Sequence, residues 1–212
     1  MERTKENKKE NILNVAERIF SELGYEGTST RYLASEAGVN MAMLNYYFGS
    51  KNGVLKAVLE RKIKGMRQML LVVKEQEISS WQKLTTAFEI YVNRLTLNDS
   101  FYRIIHREIS LVSRTELSDF VVENVLANIG ILREIIEEGI QNKSFKAVDV
   151  EMTISSMLGT IYYILNSKFV SSELLNLDLL DPEVMEKQLR PRIKNYMKEN
   201  LEAFLLNKEE LV

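Results

Sequence analysis

The side chains with the most evident binding chemistry lie close together, between residues 28 and 51. This segment supplies hydroxyls, three phenol rings, two amides, the guanidinium of Arg31 and the ammonium of Lys51, against a single carboxylate, that of Glu36. Such groups form hydrogen bonds with phosphates and with the edges of bases. The chemistry expected of this segment is therefore non-covalent recognition of a polyanion.

The rest of the composition excludes several kinds of reactive site. The 212 residues include no cysteine and one histidine, His106. The chain therefore has no disulfides, thiolate metal sites or cysteine nucleophile, and the single histidine rules out multi-histidine metal sites. No nucleophile–base pair and no glycine-rich phosphate loop is recognisable in the sequence. We expect no catalytic residues, no metal and no cofactor.

Two short helices around a tight turn must position the polar residues of this segment. Leu33, Ala34, Val39 and Leu44 are spaced to face inward on either side of a turn at residues 37–39. This is the spacing of a helix-turn-helix, whose second helix can lie in the major groove of DNA.

Capping residues set the predicted ends of these helices. Thr28 is the predicted N-cap of the second helix, Asn40 that of a third running from Met41 to about Tyr47, and Ser50 that of a longer fourth. Gly24 is predicted to end the first helix as a C-cap, and Gly38 to end the second.

Several short motifs follow one another in a fixed order between about Ile12 and Leu59. They are Leu23-Gly24-Tyr25, Gly27-Thr28-Ser29, the run from Leu33 to Val39, Tyr46-Tyr47-Phe48 and Ser50-Lys51. In this order and spacing they resemble the DNA-binding domain of the TetR/AcrR family of transcriptional regulators. The resemblance covers about a quarter of the chain, and beyond it only the length and the helical layout are similar.

The resemblance implies a contact with DNA for each of ten residues. Thr28, Thr30 and Arg31 would hold phosphates at the start of the second helix, and Tyr46 and Lys51 would contact phosphates as well. The two asparagines would reach base edges or phosphates, and the methionines and alanine of the third helix would contact thymine methyls. The predicted DNA-binding residues are Thr28, Thr30, Arg31, Asn40, Met41, Ala42, Met43, Asn45, Tyr46 and Lys51.

Two further features bear on this interface. Residues 1–9 are predicted to form an N-terminal arm in which Arg3, Lys5, Lys8 and Lys9 could reach the minor groove. Residues 1–67 carry 12 Lys/Arg and 8 Asp/Glu, whereas residues 68–212 carry 16 and 22, so the net charge of −2 combines +4 with −6. The basic excess lies where DNA would bind.

The remainder of the chain has the pattern of long helices. Apolar periodicity predicts helices at about 81–97, 100–113, 117–141, 150–170 and 191–206, with caps at 98–100, Asp149 and Asp181, and a loop from Ser171 to Leu180. The predicted fold is all-α: a three-helix helix-turn-helix DNA-binding domain at 1–50 and a helical effector-binding and dimerisation domain at 51–212.

Dimerisation is expected because one short helix reads few base pairs and two half-sites add their contacts. The helices near 150–170 and 191–206 are predicted to form an intersubunit four-helix bundle, and the alternative for each of their residues is the core of one subunit. The predicted interface residues are Ser155, Met157, Leu158, Gly159, Tyr162, Met197, Leu201 and Phe204.

An effector pocket is expected among the middle helices. Aromatic and methionine side chains there suit a hydrophobic or flat ligand. Again the alternative is ordinary core packing. The predicted pocket residues are Trp81, Phe88, Tyr91, Phe101, Tyr102, Phe120, Met152 and Tyr163.

The resulting hypothesis is a homodimeric transcriptional regulator, a repressor, that binds a palindromic operator and is released by a small hydrophobic effector. The alternative is a small-molecule binding protein that retains a helix-turn-helix without specific DNA binding. No segment is apolar for long enough to cross a membrane, and with no cysteine and no signal sequence the expected location is cytoplasmic.

Overall fold

The computed structural model describes residues 2–97, 99–110 and 115–206. Every regular element within these ranges is helical, which confirms the predicted fold class. No helix in the described part of the chain is long and apolar enough to span a membrane.

Eleven helices and one π-helical segment follow one another along these ranges. Their bounds are α1 Glu2–Leu23, α2 Thr30–Glu36, α3 Met41–Phe48, α4 Lys51–Lys74, α5 Ser80–Leu97, α6 Asp99–Ile109, α7 Glu116–Gln141, α8 Val150–Asn166, α9 Lys168–Leu175, α10 Pro182–Val184, the π-helical segment Met185–Leu189, and α11 Arg190–Leu205.

The chain forms two compact units, and the first contains Met1–Lys64 and Ser100–Val122. In it α1 packs on α2 and α2 on α3. Apolar side chains from α1, α2, α3 and α4 form its core, and they exclude water from the inner faces of all four helices. These core residues include Ile12, Ala16, Ile19, Phe20, Leu33, Ala34, Leu44, Val54, Val58 and Leu59.

The second unit contains Gly65–Asp99 and Glu123–Val212. Helix α11 packs along α5, and α5 also contacts α8. Its core combines side chains from α5, α8 and α11, among them Leu84, Phe88, Val92, Ile161, Leu165, Ile193, Met197 and Leu201. Helices α4 and α7 each have residues in both units. The functional division after residue 50 stays a prediction.

Most of the predicted caps are present. Gly24 and Gly38 have φ values of 72° and 63° and end α1 and α2 in the left-handed conformation that glycine adopts without strain. The Asp149 carboxylate accepts a hydrogen bond from Met152 N, and that of Asp181 accepts one from Glu183 N. The break predicted at 98–100 concerns Asn98, which lies outside the described residues.

The prediction for residues 150–180 is wrong in two respects. A single helix at 150–170 was expected, but α8 ends at Asn166, because Ser167 leaves helical geometry at φ −110° and ψ 45°. A loop was expected from Ser171 to Leu180, but α9 occupies 168–175. This short helix is closed at its end by Asn176 in left-handed geometry and by the Arg192 guanidinium, which donates to the Leu175 carbonyl at 2.9 Å.

The predicted N-terminal arm is helical in its backbone. Residues 2–9 form the first part of α1. Their contact with the minor groove stays a prediction. Lys8 and Lys9 are exposed on this helix, and the side chains of Arg3 and Lys5 lie outside the described residues.

Candidate nucleic-acid interface

The turn between α2 and α3 is fixed by backbone hydrogen bonds and by one contact from α1. Val39 N donates to the Ala34 carbonyl at 2.9 Å, and Gly38 N donates to that of Ser35 at 3.0 Å. The Asn11 amide of α1 donates to the Ala37 carbonyl at 2.9 Å. This geometry holds α3 across α2 as a helix-turn-helix requires.

Helix α3 turns four side chains to solvent. Asn40 is its N-cap as predicted, with Oδ1 accepting from Met43 N at 2.8 Å. Leu44 is fully buried and anchors the helix, and Met43 is half-buried. The exposed residues are Met41, Ala42, Asn45 and Tyr46, and Tyr46 is 73% exposed. The surface is thus one amide and one phenol among apolar groups.

The start of α2 differs from the prediction in its cap. Ser29 is the N-cap, with its hydroxyl accepting from Tyr32 N at 3.1 Å, so the assignment of that role to Thr28 is wrong. Thr28 is buried and its hydroxyl donates to the Gly24 carbonyl at 2.7 Å, which closes the turn after α1. Thr30 is half-buried and Arg31 is exposed. Of the three residues predicted here, Arg31 is the one whose side chain is fully presented to solvent.

Lys51 has internal partners that its sequence position did not reveal. Its ammonium donates to the carbonyls of Tyr25 at 2.9 Å and Thr28 at 3.0 Å, and it lies 4.0 Å from the centre of the Tyr25 ring. Two of its three N–H groups therefore tie the start of α4 to the turn before α2. The predicted contact of Lys51 with DNA stays a prediction beside this positioning role.

We expect Lys51→Met to weaken binding to all duplexes by a similar factor and to lower the free energy of unfolding by about 1–3 kcal/mol. The physical reason is that the Tyr25 and Thr28 carbonyls lose their partner while the side chain keeps its length. Thermal unfolding and titration with two unrelated duplexes measure both effects. The matched control is Lys64→Met, at an exposed lysine of the same helix that pairs with Glu60. If Lys51→Met has the same free energy of unfolding as the parent chain, Lys51 has no positioning role.

A charged network joins α1 to α4 within the first unit. Arg61 and Lys62 both pair with Glu17, and Arg61 also pairs with Glu10 at 2.7 Å. Burial alone would raise the pKa of Glu17, but the hydrogen bonds and charges of Lys62 and Arg61 outweigh it and hold that pKa below its ordinary value. Since the folded chain favours ionised Glu17, this contribution to stability is present above the unfolded pKa and is lost as the pH falls through the folded pKa.

The predicted effector residues fall in different places. Trp81, Phe88 and Tyr91 lie on α5, and the Trp81 ring packs edge-on against Phe145 at 6.5 Å. Met152 and Tyr163 are exposed on α8. The other three belong to the first unit; they are Phe101, Tyr102 and Phe120. The effector site stays a prediction, because helical spacing does not distinguish a core aromatic from a pocket wall.

The predicted dimer residues divide into buried and exposed sets. Met157, Leu158, Met197 and Leu201 are buried in the core of the second unit. Tyr162 is partly exposed. The members that have surface to offer a partner are Ser155, Gly159 and Phe204.

Sequence reasoning missed an apolar groove beside these residues. It has a volume of about 690 Å³ between α8, α9 and α11. Phe169 and Leu174 of α9 are 76% and 69% exposed. The apolar residues at 169, 170, 174 and 175 have the spacing of a helix. This pattern was not recognised, because a loop was predicted from Ser171 to Leu180. The groove is lined by residues that include Tyr163, Ile164, Leu174, Leu175, Ile193 and Tyr196.

Comparisons with known proteins agree with this geometry. Residues 12–58 match the sequence profile of bacterial regulatory proteins of the tetR family. The transcriptional repressor NicS of Pseudomonas putida is 26% identical over 186 residues, which cover 82% of this chain and 84% of NicS.

Solved structures share the fold over nearly the whole chain. FadR of Bacillus subtilis in complex with stearoyl-CoA superposes with a TM-score of 0.70 at 20% identity, covering 90% of this chain and 96% of FadR. AibR in complex with isovaleryl coenzyme A and operator DNA superposes with a TM-score of 0.67 at 19% identity, covering 91% of this chain and 97% of AibR.

Proposed function

We propose that this chain, whose residues 12–58 match the profile of tetR-family regulatory proteins, represses transcription by binding a palindromic operator as a homodimer, and that a small hydrophobic effector releases it. The observation that carries the proposal is α3 itself. It is a short helix held across α2 by a tight turn, with an uncharged hydrogen-bonding face left in solvent. Such a helix fits the major groove, where base edges are distinguishable.

The polar residues on and near α3 support contacts with the phosphate backbone of DNA. Phosphate-binding groups are carried by Arg31 on α2, Tyr46 on α3 and Lys51 at the start of α4, and the side chains of Arg31 and Tyr46 are exposed. In a helix-turn-helix, the first helix crosses the backbone while the second reads bases. Arg31 on α2 therefore fixes the register, and α3 supplies the sequence preference.

The dimer is formed by the exposed apolar face of the second unit. Large apolar side chains on α8, α9 and α11 are in solvent around the groove, and small residues at 155 and 159 permit close approach of a second copy. A two-fold axis brings the same patch from both copies together, so a surface with both a groove and projecting apolar side chains can complement itself. The exposed side chains include Met152, Tyr163, Phe169, Leu174, Tyr196 and Phe204.

The effector is a hydrophobic molecule bound by the second unit, which contains five of the eight predicted pocket residues. Two proteins of this fold were solved with acyl coenzyme A thioesters, which makes that class the first to test. Helix α4 has residues 51–64 in the first unit and 65–74 in the second, so a ligand that biases its position also biases the helix-turn-helix. A coupling of about 1–3 kcal/mol changes DNA affinity roughly 5- to 150-fold, which is enough for a switch.

Binding to DNA from upstream of the gene for this chain, titrated at low and rising salt, tests the proposal. We expect specific binding at low salt, and a logarithm of affinity that falls linearly with the logarithm of salt, with a slope near −0.9 per phosphate neutralised. A shuffled duplex of the same composition is the control. Absence of any preference for the upstream DNA at low salt would favour the alternative of a small-molecule binding protein with a helix-turn-helix scaffold.

A further inference from the structure

The recognition helix α3 has an unusual amino-acid composition for a helix that reads bases in the major groove. The sequence of α3, MAMLNYYF, contains no charged residue. Arginine or lysine paired with guanine is the commonest specific contact in the major groove, and cytosine is usually read by a carboxylate. Within Met41–Phe48, neither guanine nor cytosine has its customary partner.

The two amides of residues 28–51, those of Asn40 and Asn45, are not equivalent. The Oδ1 atom of Asn40 is engaged as the N-cap of α3. Within the part of the chain that the structure describes, the Asn45 amide is exposed and forms no intramolecular hydrogen bond. An asparagine contacts adenine in a paired manner, accepting from N6 and donating to N7. Asn45 has both groups available for this contact, and Asn40 does not.

The neighbours of Asn45 complete the surface. At about 100° per residue, Met41 lies about 40° to one side of Asn45 on the helix, and Ala42 lies about 60° to the other. Met41 is 39% exposed and Ala42 is also in solvent. Apolar side chains in the major groove contact the C5-methyl of thymine, which no other DNA base carries. Next to the exposed phenol of Tyr46, the surface around Asn45 is therefore one amide between two apolar groups.

We propose that α3 reads a cluster of A·T pairs, in which Asn45 contacts one adenine and Met41 and Ala42 contact thymine methyl groups on either side of it. This inference rests on the proposed function and adds the base composition of the operator half-site. Specificity comes from thymine methyls and from a single adenine, and the basic residues outside α3 supply only contacts to phosphates.

Chemically altered duplexes test the inference at the level of single atoms. Once a bound sequence has been selected from random duplexes, thymine in the half-site is replaced by uracil, which removes only the methyl, and adenine by 7-deazaadenine, which removes the N7 acceptor. We expect each lost methyl at a contacted position to weaken binding about 3- to 4-fold. The loss of N7 should weaken it roughly 2- to 10-fold. The same replacements outside the half-sites are the control and should change nothing.

Variants of α3 connect each base to its side chain. Asn45→Ala should weaken binding about 5- to 150-fold and should no longer distinguish adenine from 7-deazaadenine. Met41→Ser should keep the adenine preference, lose the penalty for uracil at the thymine that Met41 contacts, and keep it at the thymine that Ala42 contacts. Both positions are exposed, and matching thermal unfolding of the variants and the parent chain confirms that the fold is unchanged.

The outcomes separate this inference from the proposed function. If no sequence is enriched, the proposed function fails. If a sequence is enriched but carries G·C pairs where α3 lies, or if uracil leaves affinity unchanged, the chain is a specific DNA-binding protein and this inference is wrong. Persistence of the 7-deazaadenine penalty in Asn45→Ala would likewise overturn the assignment of Asn45.

Discussion

Gly53→Ala is expected to reduce operator binding by more than about 100-fold while the second unit stays folded. A Cβ atom at Gly53 would lie 1.8 Å from the Phe48 carbonyl oxygen and 3.0 Å from its carbonyl carbon. Both atoms belong to the backbone at the end of α3, so they cannot rotate away as a side chain would. That oxygen also accepts a hydrogen bond from Ser50 N at 2.8 Å.

The consequence is that α3 and α4 must move apart. Overpacking of this kind costs about 1–3 kcal/mol where neighbours can adjust, and more where the obstacle is backbone. Because the displaced element is the recognition helix, we expect the affinity for DNA to fall by more than the loss of folding stability alone would cause. Thermal unfolding, helical circular dichroism and duplex titration measure the effects.

Gly65→Ala provides a matched control in the same helix. A Cβ atom at Gly65 meets nothing within 4 Å. Replacement of a helical glycine by alanine then stabilises by up to about 1 kcal/mol, and DNA binding should be unchanged. If Gly53→Ala bound its operator as the parent chain does, the close junction between α3 and α4 would not be what positions the recognition helix.

Gly159→Arg is expected to convert the dimer into a monomer. Gly159 is exposed on α8, and a Cβ atom there meets nothing within 4 Å, so one subunit accommodates the side chain. In the proposed dimer the same position lies where two copies approach closely, and an arginine would place a bulky charge between them. Loss of the second half-site should weaken operator binding roughly 100- to 10,000-fold.

Sedimentation at micromolar concentration and duplex titration measure the two effects together. The matched control is Gly130→Arg, on α7, where an added Cβ atom also meets nothing within 4 Å. It carries the same charge and should remain a dimer with unchanged affinity. A Gly159→Arg chain that sediments as the parent does would contradict the assignment of α8 to the interface.

Local signals in the sequence predicted the first unit well. Gly24, Gly38, Asn40 and Ser50 each act at the ends of helices in the predicted way, because capping depends on a few adjacent residues. The exception is the start of α2, where Thr28, Ser29 and Thr30 all carry hydroxyls that could cap it. The difference is set by tertiary structure: Thr28 turns inward to the Gly24 carbonyl, which leaves Ser29 as the cap.

The second unit was less predictable because core and interface use the same chemistry. Met157 and Gly159 are two residues apart on α8, yet the first is buried and the second exposed. The packing of α5 and α9 against α8 decides which face of α8 is covered. The end of α8 at Ser167 has no proline or glycine, so no local signal in the sequence marks it. For this reason α9, with its exposed Phe169 and Leu174, was not predicted as a separate helix.

Selection of bound duplexes from a random pool tests the central claim most directly. The account predicts enrichment of an inverted repeat whose half-sites lie one helical turn, about 10 base pairs, or a multiple of it apart, with at least two chains on each duplex. It also predicts that a hydrophobic effector, once found, releases that duplex. If the chain is folded and dimeric but enriches no sequence from the random pool at low salt, the account is contradicted.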